Sequence, residues 1–316
     1  MADTDEQGLG YWLRWQVPVC ALIFLAPSAI ALIFVSKVQT APLASYDLWL
    51  PCWRRLSPVW LLIYRAAVFV FMSWILSQIV ASHGAFSFYF YTQWTFTLVI
   101  IYFALGTIIS AHGCWTYSKR PEYEEGDHLL KRDQEEYNKS ATNRTNKIKG
   151  DIKLQSHQVQ EETEQRAGFW GYLMQAIYQT CAGAVMLTDI VFWFILLPFL
   201  TSEQFRLNLL MGCMHTLNLV FLVLDTALNR LPFPWFRFAY FVFWSSIYIT
   251  FQWVLHACGF TWWPYPFLEL STPWAPLWYF SLALIHIPCY GMYALIVKAK
   301  NAIFSRFFPS VYIKSN

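Results

Sequence analysis

Three side chains of this chain have the types that nucleophilic ester chemistry needs, and each lies inside a long apolar run: Thr92, His215 and Asp189. A threonine hydroxyl is a weak nucleophile until an adjacent base takes its proton. A neutral imidazole can accept that proton and hand it to a leaving group, and a carboxylate behind the ring fixes its tautomer and stabilises the imidazolium. His215 is the most demanding of the three. It sits near the middle of the run Phe205 to Leu224, with no carboxylate within nine residues on either side. An ionisable group in hydrocarbon is costly enough to require a function or a partner.

The elements that must position these groups are membrane helices. The 316 residues are 57% apolar, 20% aromatic and only 13% charged, against about 25% charged in soluble domains. Seven runs reach the roughly 20 residues that a hydrocarbon core demands: Val17–Val35, Pro58–Ala81, Ala85–Ala111, Phe169–Phe199, Phe205–Ala227, Phe236–His256 and Ala275–Val297. The expected fold is therefore all-α, a polytopic bundle of about seven transmembrane helices. Residues 1–16 form a short tail before it, 17–111 hold spans one to three, and 169–297 hold spans four to seven. Residues 298–316 form a C-terminal tail. The fourth run is long and contains Ala182-Gly183-Ala184, which points to a kink or to an interfacial start.

Between the two groups of spans, residues 112–168 form a polar loop. Its part from 119 to 166 carries ten basic and eleven acidic side chains, too little apolar surface to offset the entropy of ordering. Outside that loop, nine lysines and arginines fall on one set of alternate connections, and only Arg14 and Arg206 on the other. The positive-inside rule then puts the loop and the C-terminus in the cytosol. Glycosylation at Asn138 or Asn143, both in acceptor sequences, would invert that orientation. A signal peptide is the competing reading of Val17–Val35, but the run has a weak basic flank, internal Pro18 and Pro27 and no clear cleavage site. No retention or lipidation signal stands at Ser315-Asn316, which leaves the endoplasmic reticulum and the plasma membrane as expected locations.

The net charge of +3 and the lack of a basic stripe argue against a nucleic-acid partner. Membrane lipids are the expected partners. The seven cysteines form no C-x-x-C pair, and no phosphate-binding loop, dinucleotide fingerprint or H-E-x-x-H is present, so no cofactor is expected. Depth along the spans, at about 1.5 Å per residue, puts Thr92 about 10 Å from the outer face. His215 follows at about 13 Å, Asp189 at about 15 Å and His286 at about 16 Å, four groups from four spans near one level. A metal reading competes, with His215, His286 and Asp189, and His256 as an optional fourth, holding a zinc-like ion. It has no i, i+3 or i+4 histidine pair behind it. His286 also reads as a helix–helix contact and His256 as a residue at a wet span end. Arg65 and Asp225, toward the other face, read as a structural ion pair.

Three blocks resemble a known superfamily. Tyr91-Thr92-Gln93-Trp94-Thr95-Phe96 with Ile101-Tyr102-Phe103, Leu207-Asn208 with Met214-His215-Thr216, and Tyr265-Pro266-Phe267-Leu268-Glu269 occur in that order. They are similar to segments of the androgen-induced protein family and of the rolling stone-like proteins, the plant rolling stone-like group above all. The resemblance reaches from about Pro58 to Val297. It implies a multi-pass threonine hydrolase of fatty acid esters of hydroxy fatty acids, with Thr92 as nucleophile and His215 as the essential histidine. The rolling stone branch implies instead a non-catalytic scaffold, receptor or fusion component. This chain departs from the family in its extra N-terminal span, its longer polar loop and Thr95, where an asparagine is expected.

Overall fold

The computed structural model describes residues 8–38, 42–119, 166–199 and 209–314. Most of the polar loop lies outside these residues, with both acceptor asparagines, as do Arg206, Leu207 and Asn208. The chain is an all-α, multi-pass membrane protein with seven spans long and apolar enough to cross a bilayer. We number the main helix of each span: α1 (Gln16–Lys37), α2 (Pro58–His83), α3 (Tyr91–Ser118), α4 (Phe169–Val191), α5 (Leu217–Leu228, the longer part of the fifth span), α6 (Phe238–Ala257) and α7 (Ala275–Phe307). The outward faces are apolar, as with Leu22, Ile30, Val70, Ile108, Ile247 and Leu295. A surface of that kind is stable only against hydrocarbon.

Helix α4 is the most enclosed of the seven. It packs against α3, α6 and α7, while α1 lies along α6 and α7. There Cys20 and Phe24 are buried and Ser28 shares a hydrogen bond of 2.7 Å with Ser246, so α1 is an integral part of the bundle. The α-helix runs without a break through the small triplet Ala182-Gly183-Ala184. The triplet lets α6 approach closely, because a Cβ on Gly183 would stand 2.4 Å from the Phe241 ring. Gly183→Ala is therefore expected to lower stability by about 1–3 kcal/mol through overpacking, measured as a drop in melting temperature in detergent. Adding Phe241→Leu should recover part of that loss.

Several boundaries differ from the hydropathy pattern, and most of the differences lie at one end of the bundle. The third span was expected from Ala85, yet Gly84 (φ +64°) ends α2, a 3₁₀ turn occupies Gly84–Tyr89, and α3 begins only at Tyr91. Helix α4 passes into a π-helical segment, Phe192–Leu196. The fifth span is two helices, Leu209–Met214 and α5, broken at His215-Thr216. Non-helical backbone at membrane depth is tolerated only where it is buried in protein or lines a cavity. Phe192, Leu196 and His215, within the interruptions at 192–196 and 215–216, line a cavity.

The opposite end is held by a satisfied polar network. Arg65 is fully buried and its Nε lies 2.9 Å from Asp225 Oδ1. Its Nη1 donates to the Leu48 carbonyl at 2.8 Å and to Ser110 Oγ at 2.9 Å. Asp225 Oδ2 accepts from the Tyr102 hydroxyl at 2.5 Å and from Asn229 Nδ2 at 2.7 Å. Lys300 Nζ donates to the Asn229 carbonyl at 2.8 Å. Lys300 can do so because α7 runs 33 residues, well past Val297. The segment set apart in the sequence as a tail thus continues the helix, and the chain beyond it returns to pair Arg54 N–H with the Val311 carbonyl at 2.8 Å.

Candidate functional site

At the first end, a cavity of about 550 Å3 opens between α2, α3, the π segment, the Leu209–Met214 helix and the loop after α6. That size falls within the range of small-molecule pockets, about 300–1,000 Å3. Its walls are mainly apolar and aromatic, with Phe86, Phe260 and Trp262 all partly exposed. Thr92 and His215 both line it.

Thr92 is the second residue of α3, at the end of the helix and not two turns within it, because α3 starts later than the hydropathy pattern implied. A helix start leaves backbone N–H groups without intrahelical partners. Tyr265, from the α6–α7 loop, supplies the partner: its hydroxyl accepts from Tyr91 N–H at 3.2 Å, and the ring lines the same cavity wall as Thr92. Burial pushes the Tyr265 hydroxyl up to about 12, so it remains neutral. Tyr265→Phe should cost about 1 kcal/mol, read as a lower melting temperature.

His215 stands at the break in the fifth span. Phe192 lies flat against the imidazole, with centroids 3.7 Å apart and planes 2° from parallel. The next residue, Trp193, donates from Nε1 to the His215 carbonyl at 3.2 Å. Asn218 Nδ2 donates to the Met214 carbonyl at 2.9 Å. The break is therefore held open by side-chain partners for two of the carbonyls beside it. A π turn holds one more residue than an α turn and tends to occur at functional sites. Here it supplies both neighbours of the histidine.

Asp189, one turn before the π segment, faces the ring: Oδ1 is 4.0 Å from His215 Nδ1. That is longer than a hydrogen bond, which ends near 3.2 Å, and neither atom has another hydrogen-bond partner. Catalytic contacts in ligand-free enzymes are often this loose. The three residues singled out from the sequence thus fall at one site, two of them on the cavity wall and the third behind the histidine.

His286 does not join them. Its Nδ1 lies 2.6 Å from the Leu282 carbonyl and its Nε2 lies 2.8 Å from Ser245 Oγ on α6, which is the helix–helix contact expected of it. Both ring nitrogens are engaged. His256 is packed among Tyr11, Trp12 and Trp263 at the C-terminal end of α6 and is buried, where a wet span end was expected. Among the described residues no three His, Cys, Asp or Glu side chains converge as metal ligands. The metal constellation is corrected accordingly: the helices carry its histidines to three different places.

Two polar wall residues had no signal in the sequence. Ser87 Oγ and Gln93 Oε1 are buried at the cavity without a hydrogen-bond partner, and Gln93 Nε2 reaches the weak acceptor Met214 Sδ at 3.3 Å. Only the late start of α3 turns both toward the same space as Thr92.

The chain matches no family model, no curated protein and no solved structure.

Proposed function

We propose that the protein is an intramembrane lipid-ester hydrolase, with Thr92 as nucleophile and His215 as general base and then acid. Asp189 would orient His215. The observation that carries the reading is that Thr92 and His215, from separate spans, line one largely apolar cavity, with the Asp189 carboxyl 4.0 Å from the imidazole Nδ1. The resemblance to the androgen-induced and rolling stone-like proteins adds the substrate class, fatty acid esters of hydroxy fatty acids. The partly exposed aromatic wall suits entry of such a substrate from the bilayer, either of the endoplasmic reticulum or of the plasma membrane.

In this mechanism the Thr92 hydroxyl attacks the acyl carbonyl while its proton passes to His215. The tetrahedral intermediate expels the alcohol, which takes the proton back. Water, deprotonated by His215, then releases the fatty acid from Thr92. The test is turnover of a panel of fatty-acyl esters by the detergent-purified chain.

A second reading is favoured by one distance: Asp189 and His215 stand 4.0 Å apart, beyond hydrogen-bond length. In that case the cavity binds a lipid without cleaving it, as a scaffold or receptor would, and the same assay returns binding with no product.

A further inference from the structure

A hydroxyl–imidazole pair at hydrogen-bond distance lies in the cavity next to the Thr92 site. His286 Nδ1 is 2.6 Å from the Leu282 carbonyl. A carbonyl only accepts, so Nδ1 carries the ring proton and Nε2 presents its lone pair. Ser245 Oγ is 2.8 Å from that Nε2, and the serine hydroxyl donates to it. The Tyr91 hydroxyl, 2.9 Å from the same Oγ, then donates to the serine oxygen. Phe241 stacks on the imidazole at 4.5 Å and holds its plane. This is the arrangement of an activated nucleophile: a hydroxyl on a base whose tautomer is set by a third group.

A contact made only to pin two helices needs no open space next to it. This one borders a cavity of about 80 Å3 lined by Ser245, His286, Tyr91 and mostly apolar side chains. By the same measure a water needs about 10–15 Å3, so the space admits roughly five to eight non-hydrogen atoms. Thr92, Leu196 and Tyr265 line this cavity and the large one alike, so the two adjoin. A long chain fits only the large cavity, and the small one admits a short acyl or alkyl group.

We propose that Ser245 and His286 form a second nucleophile–base dyad, specific for a short-chain ester or a similarly small acyl electrophile. Ser245 Oγ bonds to the carbonyl carbon as its proton moves to His286 Nε2. Collapse breaks the bond to the alcohol, which leaves with that proton. Water, deprotonated at the same Nε2, then frees the short acid. This activity goes beyond the Thr92 reading and does not depend on it.

The experiment treats the full-length chain in detergent with a short-chain alkyl fluorophosphonate and maps the adduct by peptide mass spectrometry. The adduct is expected on Ser245, and to form about 10²-fold more slowly in His286→Asn. Thermal melts of each variant report folding. Ser245→Cys, a near-isosteric change, gives a second reading: His286 should speed its alkylation by iodoacetamide relative to the Ser245→Cys, His286→Asn double variant. An adduct on Thr92 alone overturns the dyad and leaves the Thr92 reading standing. No adduct on Ser245 in folded protein, or equal rates with and without His286 in both assays, overturns it as well.

Discussion

Alanine at His215 is expected to lower ester turnover by about 10²- to 10⁴-fold, the usual contribution of a general base. The loss should appear in kcat with little change in KM, because Phe192 and the other mainly apolar side chains that line the cavity remain. Thr92→Ala should be at least as severe, since no acyl-enzyme can form on it. Groups that act as a unit give non-additive losses, so the double variant should be scarcely worse than the worse single one. Hydrolysis of long-chain esters that survives in both single variants, each shown to be folded by its melting curve, would sink the assignment. The short-chain activity assigned to Ser245 must be measured separately, because it is expected to persist in both.

The largest stability effect should come from the other end of the bundle. Asp225 is fully buried and accepts from Arg65, Tyr102 and Asn229. Asp225→Ala leaves a buried guanidinium without its counter-charge, which costs about 3–5 kcal/mol. The expected readout is a marked fall in melting temperature and in the yield of monodisperse protein. Arg65→Met should do similar damage by stranding the carboxylate. Replacing both, with Arg65→Met and Asp225→Leu, should recover much of the loss, because well-packed apolar side chains often replace a buried ion pair at little cost. Melting of Asp225→Ala within error of the unmodified chain would refute a structural role for the pair.

The two ends also differ in how far they could be read in advance. Arg65 and Asp225 were recognisable as partners because two opposite charges at similar depth in separate spans have few alternatives to each other. Thr92, Asp189 and His215 were recognisable as near-level polar groups for the same reason: depth follows from residue counting along helices. Residue counting failed where the helices stop being regular. It put Thr92 well inside its span, whereas Gly84 and the 3₁₀ turn at Gly84–Tyr89 place it at the start of α3. It also grouped His286 with His215 for metal binding, although the two rings end on different cavities.

The sequence by itself determined a multi-pass helical membrane protein with seven spans and a short set of intramembrane polar groups. Those properties follow from local composition, since each run's transfer into hydrocarbon depends on its own side chains. Tertiary packing set the rest: the fifth span breaks at His215, α4 widens into a π turn at Phe192, Tyr265 accepts from the Tyr91 N–H at the start of α3, and Ser245 meets His286. A break in a membrane helix survives only where distant residues satisfy the freed backbone groups. For the fifth span, Trp193 on the preceding span is one of those residues, and no local pattern around His215 announces it.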